Sequence, residues 1–496
     1  MKTSILLISL PKKLPPFSLL SLASYINAKT EHRASILELS GLADPAAAIA
    51  ARLKADKPGL VGFGCFTCDY PEVMRFAGVV KESSGCRVVA GNVHASLYPE
   101  DFIFPGSPVD YVVVGEGEVT LAELLDRLAA GGDPAGLAGV AALADGKMLV
   151  GEKRPLIADL AVLPRLDYGL IPMEPHFHPA NRAVPGFSAR TATVYTSRGC
   201  PSKCEFCAAN TVWKCNSGPP VRFRPIEEVM AEVRELKEKY KIQCLAFGDD
   251  SFLLRKDRVL ALCAAMKELD MFWAVQGRVE HISAEVVAAM KDAGCVMIGF
   301  GVESGSDSIL ARIQKGINTA QIRGAFALCK AGRLARMAYI MCNHPGETEE
   351  DVRLTVELLR ETGPDGINQA VLTPYPGTAI YEKYVGKKPE NYRLFSNIGA
   401  ELTTYFKLCA HDLPMDQVLD AYWLAVYAWR LPVSLTAVFR EPGYLRKVLF
   451  TGYFSSVASV ILKDTAVWLR YRAVAAIPWP ARSLLRSWKH RLEKLF

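Results

Sequence analysis

Thr196-Ser197-Arg198-Gly199-Cys200-Pro201-Ser202-Lys203-Cys204-Glu205-Phe206-Cys207 is the stretch that decides how this chain folds and what it holds. It follows a short apolar run, Ala192–Thr196, and sets three thiols on one loop with three and then two residues between them. Three thiolates can hold three irons of a four-iron cluster and leave the fourth iron open to chelate a substrate or cofactor, whereas a simple electron carrier uses four cysteines. Zinc is the other reading of the same thiols. It would recruit a fourth Cys or His nearby, and Cys215 stands eight residues on.

Downstream the apolar run recurs at Gln243–Phe247, Phe272–Gln276, Val296–Phe300, Arg336–Met341 and Ile367–Leu372. Helical stretches separate these runs at Ile226–Tyr240, Asp257–Leu269, Ala284–Ala293, Thr319–Ala331 and Glu347–Glu361. Six strand-helix units cannot close the usual eight-fold barrel, so an open partial (β/α)6 barrel over 189–385 is expected. Upstream, Ser4–Leu10, Ser35–Leu39, Leu60–Gly64, Arg87–Ala90 and Tyr111–Val114 alternate with helical stretches at Phe17–Ala28, Pro45–Lys54, Pro71–Ser83 and Thr120–Ala130. That rhythm builds a wound parallel sheet over 1–130, whose ligands sit at the carboxyl ends of the strands. The fold class is therefore α/β. The Gly-, Ala- and Pro-rich stretch 131–188 is read as a linker with some local structure.

The remainder, 386–496, has no strand rhythm and is expected to be helical. From Arg430 onward it carries twelve Lys/Arg against three Asp/Glu, so the chain's net charge of +6 belongs to this tail. Its tryptophans are Trp423, Trp429, Trp468, Trp479 and Trp488. The uncharged run Val448–Leu462 is fifteen residues long, short of the ~20 that span a bilayer, so an interfacial helix is the membrane reading and a helical cap the other. The first strand run is too short for a secretory signal, and an odd count of thirteen cysteines favours metal binding or packed thiols over a disulfide framework. A cytoplasmic protein is expected, with peripheral membrane contact through this tail as the alternative to the cap.

Cys-x-x-x-Cys-x-Phe-Cys after Thr-Ser-Arg-Gly resembles the radical S-adenosylmethionine (SAM) superfamily. Phe247-Gly248-Asp249-Asp250-Ser251-Phe252 looks like its second-strand motif, and Gly299-Phe300-Gly301-Val302-Glu303-Ser304-Gly305 like its fourth-strand motif. Pro345-Gly346-Glu347-Thr348 and Pro374-Tyr375-Pro376-Gly377-Thr378 match further elements of one large subgroup. The resemblance covers roughly 190 to 380. It implies a 4Fe-4S cluster on Cys200, Cys204 and Cys207. It also implies S-adenosylmethionine met at its methionyl amine by Gly248, Asp249 and Asp250 and at its ribose by Glu303; Arg278, just past the third strand, is placed to pair with its carboxylate, and Phe206 either to pack beside its adenine or to cover the cluster. The plain alternative for each charged residue is a solvated surface charge.

Members of that subgroup often carry an N-terminal cobalamin-binding domain. Pro15–Leu20, Ala90–Ser96 and Asp110–Glu118 are similar to it, with Gly91 and Gly115 letting backbone approach a large planar ring. There are departures. The Asp-x-His-x-x-Gly ligand motif is missing after the first strand, and Ala90-Gly91-Asn92 replaces a double glycine. Cys65 and Cys68 form a Cys-x-x-Cys without a second pair and are read as packed thiols.

The expected activity is cobalamin-dependent methyl transfer to an unactivated carbon or phosphorus, with an external electron donor and a small-molecule or lipid substrate. Cyclisation, oxidation or carbon-carbon joining by the same radical step is the second reading. A noncatalytic iron-sulfur or cobalamin-binding protein at a membrane is the third. No nucleic-acid partner is expected, and His176, His178, His344 and His411 receive no catalytic role.

Overall fold

The computed structural model describes residues 2–12, 14–178, 189–213, 216–386, 392, 407–427, 458, 462, 465–466 and 468–469. Trp429, Trp479, Trp488, Cys215 and most of Val448–Leu462 lie outside the described residues, and with them the reading of the tail as an interfacial helix. No described helix is long and apolar enough to cross a membrane.

The first sheet has seven strands: β1 (Ser4–Ser9), β2 (Arg33–Glu38), β3 (Leu60–Gly64), β4 (Arg87–Gly91), β5 (Tyr111–Val113), β6 (Val140–Ala144) and β7 (Lys147–Val150). Their spatial order is β2-β1-β3-β4-β5-β6-β7, parallel through β5. β1 explains its own sequence. Ile5 and Leu7 pack into one core and Leu6 and Ile8 into another, so both faces are covered and no polar alternation shows. Helices Phe17–Lys29, Pro45–Asp56, Tyr70–Ser84 and Glu118–Ala129 supply the covering layers. The second of these starts where Asp44 accepts the Ala47 N–H and Pro45 takes the first helical position.

β6 and β7 lie inside the stretch read as a linker and add two antiparallel strands to the sheet. Alanines at 141, 142 and 144 mask the strand in the sequence. Its turn was legible: Asp145 and Gly146 both have positive φ, the two-residue hairpin turn favoured by right-handed strand twist.

The second sheet comprises β8 (Thr191–Val194), β11 (Cys244–Phe247), β12 (Phe272–Gly277), β13 (Cys295–Glu303), β14 (Ala335–Cys342) and β15 (Gly366–Val371). Between them β9 (Ser197–Arg198) and β10 (Arg222–Phe223) form a small antiparallel ribbon. The order β15-β14-β13-β12-β11-β8 is sequential and every pairing is parallel, with β8 and β15 as unpaired edges among the described residues. This is the open six-stranded barrel expected from the run spacing. Helix Glu349–Thr362 begins two residues later than its apolar pattern indicates, because Thr348 and Asp351 form a capping box there. Glu347 is drawn inward instead, fully buried, accepting the Asn343 N–H at 2.8 Å.

The two sheets share one hydrophobic core, which runs from Ile5, Leu20 and Leu121 to Val194, Leu245 and Trp273. The connecting stretch is pinned to it. Tyr168 donates to Glu232 Oε1 at 2.6 Å, and its ring packs edge-on against Phe177 and Tyr240.

Candidate active site

The cysteine loop leaves the carboxyl end of β8, runs through β9 and re-enters a helix at Ala208–Trp213. Cys204 is buried, and Cys200 and Cys207 are half-buried. Asp249, just beyond β11, holds the start of this loop. One of its oxygens accepts from Thr196 N at 2.9 Å, Thr196 Oγ1 at 3.0 Å and Ser197 Oγ. Burial pushes its carboxyl up, against those hydrogen bonds and the nearby Arg258 charge.

The next residue faces the other way. Asp250 opens onto a cavity of about 390 Å³, where Trp213 Nε1 donates to its Oδ2 at 3.2 Å. Loss of water raises its carboxyl, partly offset by the Trp213 and Gly199 N–H groups. Gly248 before the pair is required by packing, since a Cβ there would stand 2.7 Å from the Tyr195 ring.

Glu303 ends β13, where the strand slips register against β14 between Gly301 and Glu303, a bulge that re-aims the side chain. Its φ is +64° and its carboxylate is buried against Lys315 Nζ at 2.6 Å. His344 Nε2 lies 3.3 Å from the Glu303 carbonyl oxygen. The Lys315 ammonium stands 5.7 Å from the centre of the Phe206 ring, so Phe206, Lys315 and Glu303 form one corner of the site. Lys315 was not apparent in the sequence, which gives no motif linking it to Glu303. Arg278, beyond β12, meets the cysteine loop rather than open solvent: Nη1 lies 3.6 Å from Cys204 Sγ, Nε donates to Glu280 and Nη2 to the Lys315 carbonyl.

The cavity lies between the carboxyl ends of the two sheets, as expected for open α/β sheets. Leu22, Val89 and Leu160 give it apolar walls, and Gly64 and Gly91 belong to its N-terminal side. A Cβ on Gly91 would meet nothing closer than 3.7 Å, so the chain leaves room there. Gly115 is different. Its φ is +80°, and a Cβ would overlap Asn216 Oδ1, so this glycine admits a side chain of the second sheet's own loops.

Around it the two sheets are tied by buried charge. Arg198 pairs with Glu116 at 2.8 Å and Glu118 at 2.6 Å, and Arg222 with Glu116 at 2.8 Å. Burial alone would raise the Glu118 carboxyl, but Arg198 and Ser21 outweigh it and hold the group below its ordinary value. Cys65 is fully buried with its thiol pushed up by desolvation, and Cys68 is half-buried.

Residues 194–359 match the Radical SAM superfamily and residues 3–125 match the B12 binding domain. An uncharacterized methyltransferase of Pyrococcus horikoshii is 32% identical over 392 residues, covering 77% of this chain and 82% of its own. The chain belongs to the radical SAM superfamily, in the branch with an N-terminal B12-binding domain. The anaerobic magnesium-protoporphyrin IX monomethyl ester cyclase of Rubrivivax gelatinosus is 26% identical over 349 residues, 67% of this chain and 60% of its own. Among solved structures, the radical SAM methyltransferase TsrM of Kitasatospora setae has the same fold, with a TM-score of 0.65 at 18% identity over 77% of this chain and 76% of that one.

This radical SAM enzyme takes a 4Fe-4S cluster, SAM and cobalamin, and its residues fit them. Among the described residues no three Cys, His, Asp or Glu side chains converge on a single ion, whereas cluster thiolates each bind a different iron. Asp249 Oδ2 and Ser251 Oγ are buried without a partner among the described residues, and a bound polar group would satisfy them. The apolar cavity suits the face of a large ring.

Proposed function

We propose that this radical SAM enzyme methylates an unactivated carbon of a small molecule. The observation that carries the reading is the cavity shared by the two sheets, with the B12-domain glycines on one side and Asp250 and the cysteine loop on the other. When bound, the cluster and SAM supply a hydrogen-abstracting radical and cobalamin supplies the methyl group. The chain's own part is holding and excluding. Cys200, Cys204 and Cys207 would hold three irons, and Asp249 fixes the loop that presents them. Asp250 and Glu303 would accept hydrogen bonds from the SAM ammonium and ribose. Phe206 would flank the adenine, and Gly91 would admit the corrin edge. Arg278 has Glu280, Cys204 and the Lys315 carbonyl on its three nitrogens, so a methionyl carboxylate would compete with Glu280 for it. Gly115 would support the cavity through Asn216 rather than touch the ring.

The test is anaerobic reconstitution with iron, sulfide and cobalamin, followed by reduction in the presence of SAM labelled in its methyl group. Release of 5′-deoxyadenosine together with label passing to an acceptor supports the reading. No deoxyadenosine in protein that carries its cluster overturns it. The Rubrivivax relative, a cyclase by name, favours the second reading of ring formation, whose signature is deoxyadenosine without methyl transfer. A lipid acceptor and peripheral membrane docking rest on the charge and tryptophans of the C-terminal region. Co-sedimentation with anionic vesicles, compared between the full chain and one truncated at Arg430, tests both.

A further inference from the structure

Arg278 is anchored on three sides. Its Nε donates to Glu280 Oε1, its Nη2 donates to the Lys315 carbonyl, and its Nη1 stands 3.6 Å from Cys204 Sγ. Little water reaches this contact, since the Arg278 side chain is 11% exposed and Cys204 is 7% exposed. Glu280 neutralises the guanidinium on its Nε edge, so the Nη1 edge is the positive end that meets the sulfur. Lys315 serves both halves of the site: its ammonium pairs with Glu303 and its carbonyl fixes the fork of Arg278.

We propose that Arg278 is a positioning residue that sets how readily the cluster held through Cys204 accepts an electron. Hydrogen bonds to cluster sulfurs and nearby charge are among the factors that set such potentials. An N–H donated by a cation draws electron density from the thiolate, and its charge favours the reduced, more negative state. Screening is weak at a contact this shielded from water, so the effect is not dissipated by solvent. A conventional carboxylate clamp would present both terminal nitrogens to the ligand, whereas here one is spent on a backbone carbonyl and the other on sulfur. The inference rests on Cys204 being a cluster ligand, as proposed above.

The experiment is a redox titration of the anaerobically reconstituted full chain without SAM. Dithionite supplies one electron per cluster, and electron paramagnetic resonance counts the reduced form. Arg278→Gln is expected to make uptake about tenfold less favourable, a shift of about 59 mV to more negative potential for one electron. Arg278→Lys keeps the charge and loses the planar fork, so a smaller shift in the same direction is expected. An unchanged midpoint in variants that retain full iron overturns the inference. So does loss of iron from both variants, which would assign Arg278 to holding the loop. Cys204→Ala retaining full iron would instead remove the ligand reading beneath it, and the two failures are told apart by iron content alone.

Discussion

Arg198 Nη1 lies 2.8 Å from Glu116 Oε1, joining the residue two before Cys200 to the loop that follows β5 of the B12-binding domain. Two stretches that belong to different domains in the sequence are one electrostatic unit in the fold. Arg222 pairs with the same carboxylate, and only 2% of its side chain is exposed.

Removing Glu116 strands the buried Arg222 and leaves Arg198 to Glu118 alone. Breaking a buried pair by deleting one partner costs about 3–5 kcal/mol, so Glu116→Ala is expected to lose stability of that order in urea unfolding. A double-mutant cycle of Glu116→Ala with Arg222→Met should show coupling above about 0.5 kcal/mol. Additivity would mean that the two groups do not support each other.

Acid should loosen the same junction. The Glu118 carboxyl is held below its unfolded value by Arg198 and Ser21 despite the opposing effect of burial. Its contribution is therefore complete above the unfolded carboxylate range and disappears as pH falls through the lower folded value. Thermal melts of Glu118→Gln against the parent protein should differ most near neutrality and converge in acid. A gap that widens as pH falls would contradict this.

Lys315→Met leaves the buried Glu303 carboxylate without its cation. A loss of about 3–5 kcal/mol in stability is expected from the unpaired charge, together with weaker SAM binding by calorimetry. Adding Glu303→Leu should recover much of the stability and none of the binding. Recovery of both would show that Glu303 has no part in holding SAM.

Gly115→Ala sets a Cβ into Asn216 at a backbone φ of +80°. A cost of about 1–3 kcal/mol is expected, within the usual range for steric and backbone strain. Pairing it with Asn216→Gly should relieve the overlap but not the backbone term. If Gly115→Ala alone is neutral, the close approach has no energetic weight.

The strand runs were legible because a sheet covered on both faces writes itself as unbroken apolar sequence, as at Ile5–Ile8. The cysteine loop was legible because its three thiols lie close together in the sequence. Neighbouring carboxylates were not separable: Asp249 and Asp250 follow the same strand, and only the fold turns one toward Thr196 and the other toward the cavity. Lys315 was invisible because its role depends on a bulge in β13 that aims Glu303 at it across twelve residues. Asn216 was missed for a similar reason, since its neighbour Gly115 carries the only local signal. The hairpin Val140–Val150 was underread by composition, although Asp145-Gly146 marked its turn.

The unpaired edges of the six-stranded sheet have a consequence for what the enzyme can accommodate. A closed eight-stranded barrel admits only what passes through its mouth. Here Thr191–Val194 and Gly366–Val371 do not pair among the described residues, so neither edge fixes the position of the other. The breadth of the sheet is therefore set by what packs on its edges, as where the Ile367 N–H donates to the Tyr427 hydroxyl at 3.2 Å.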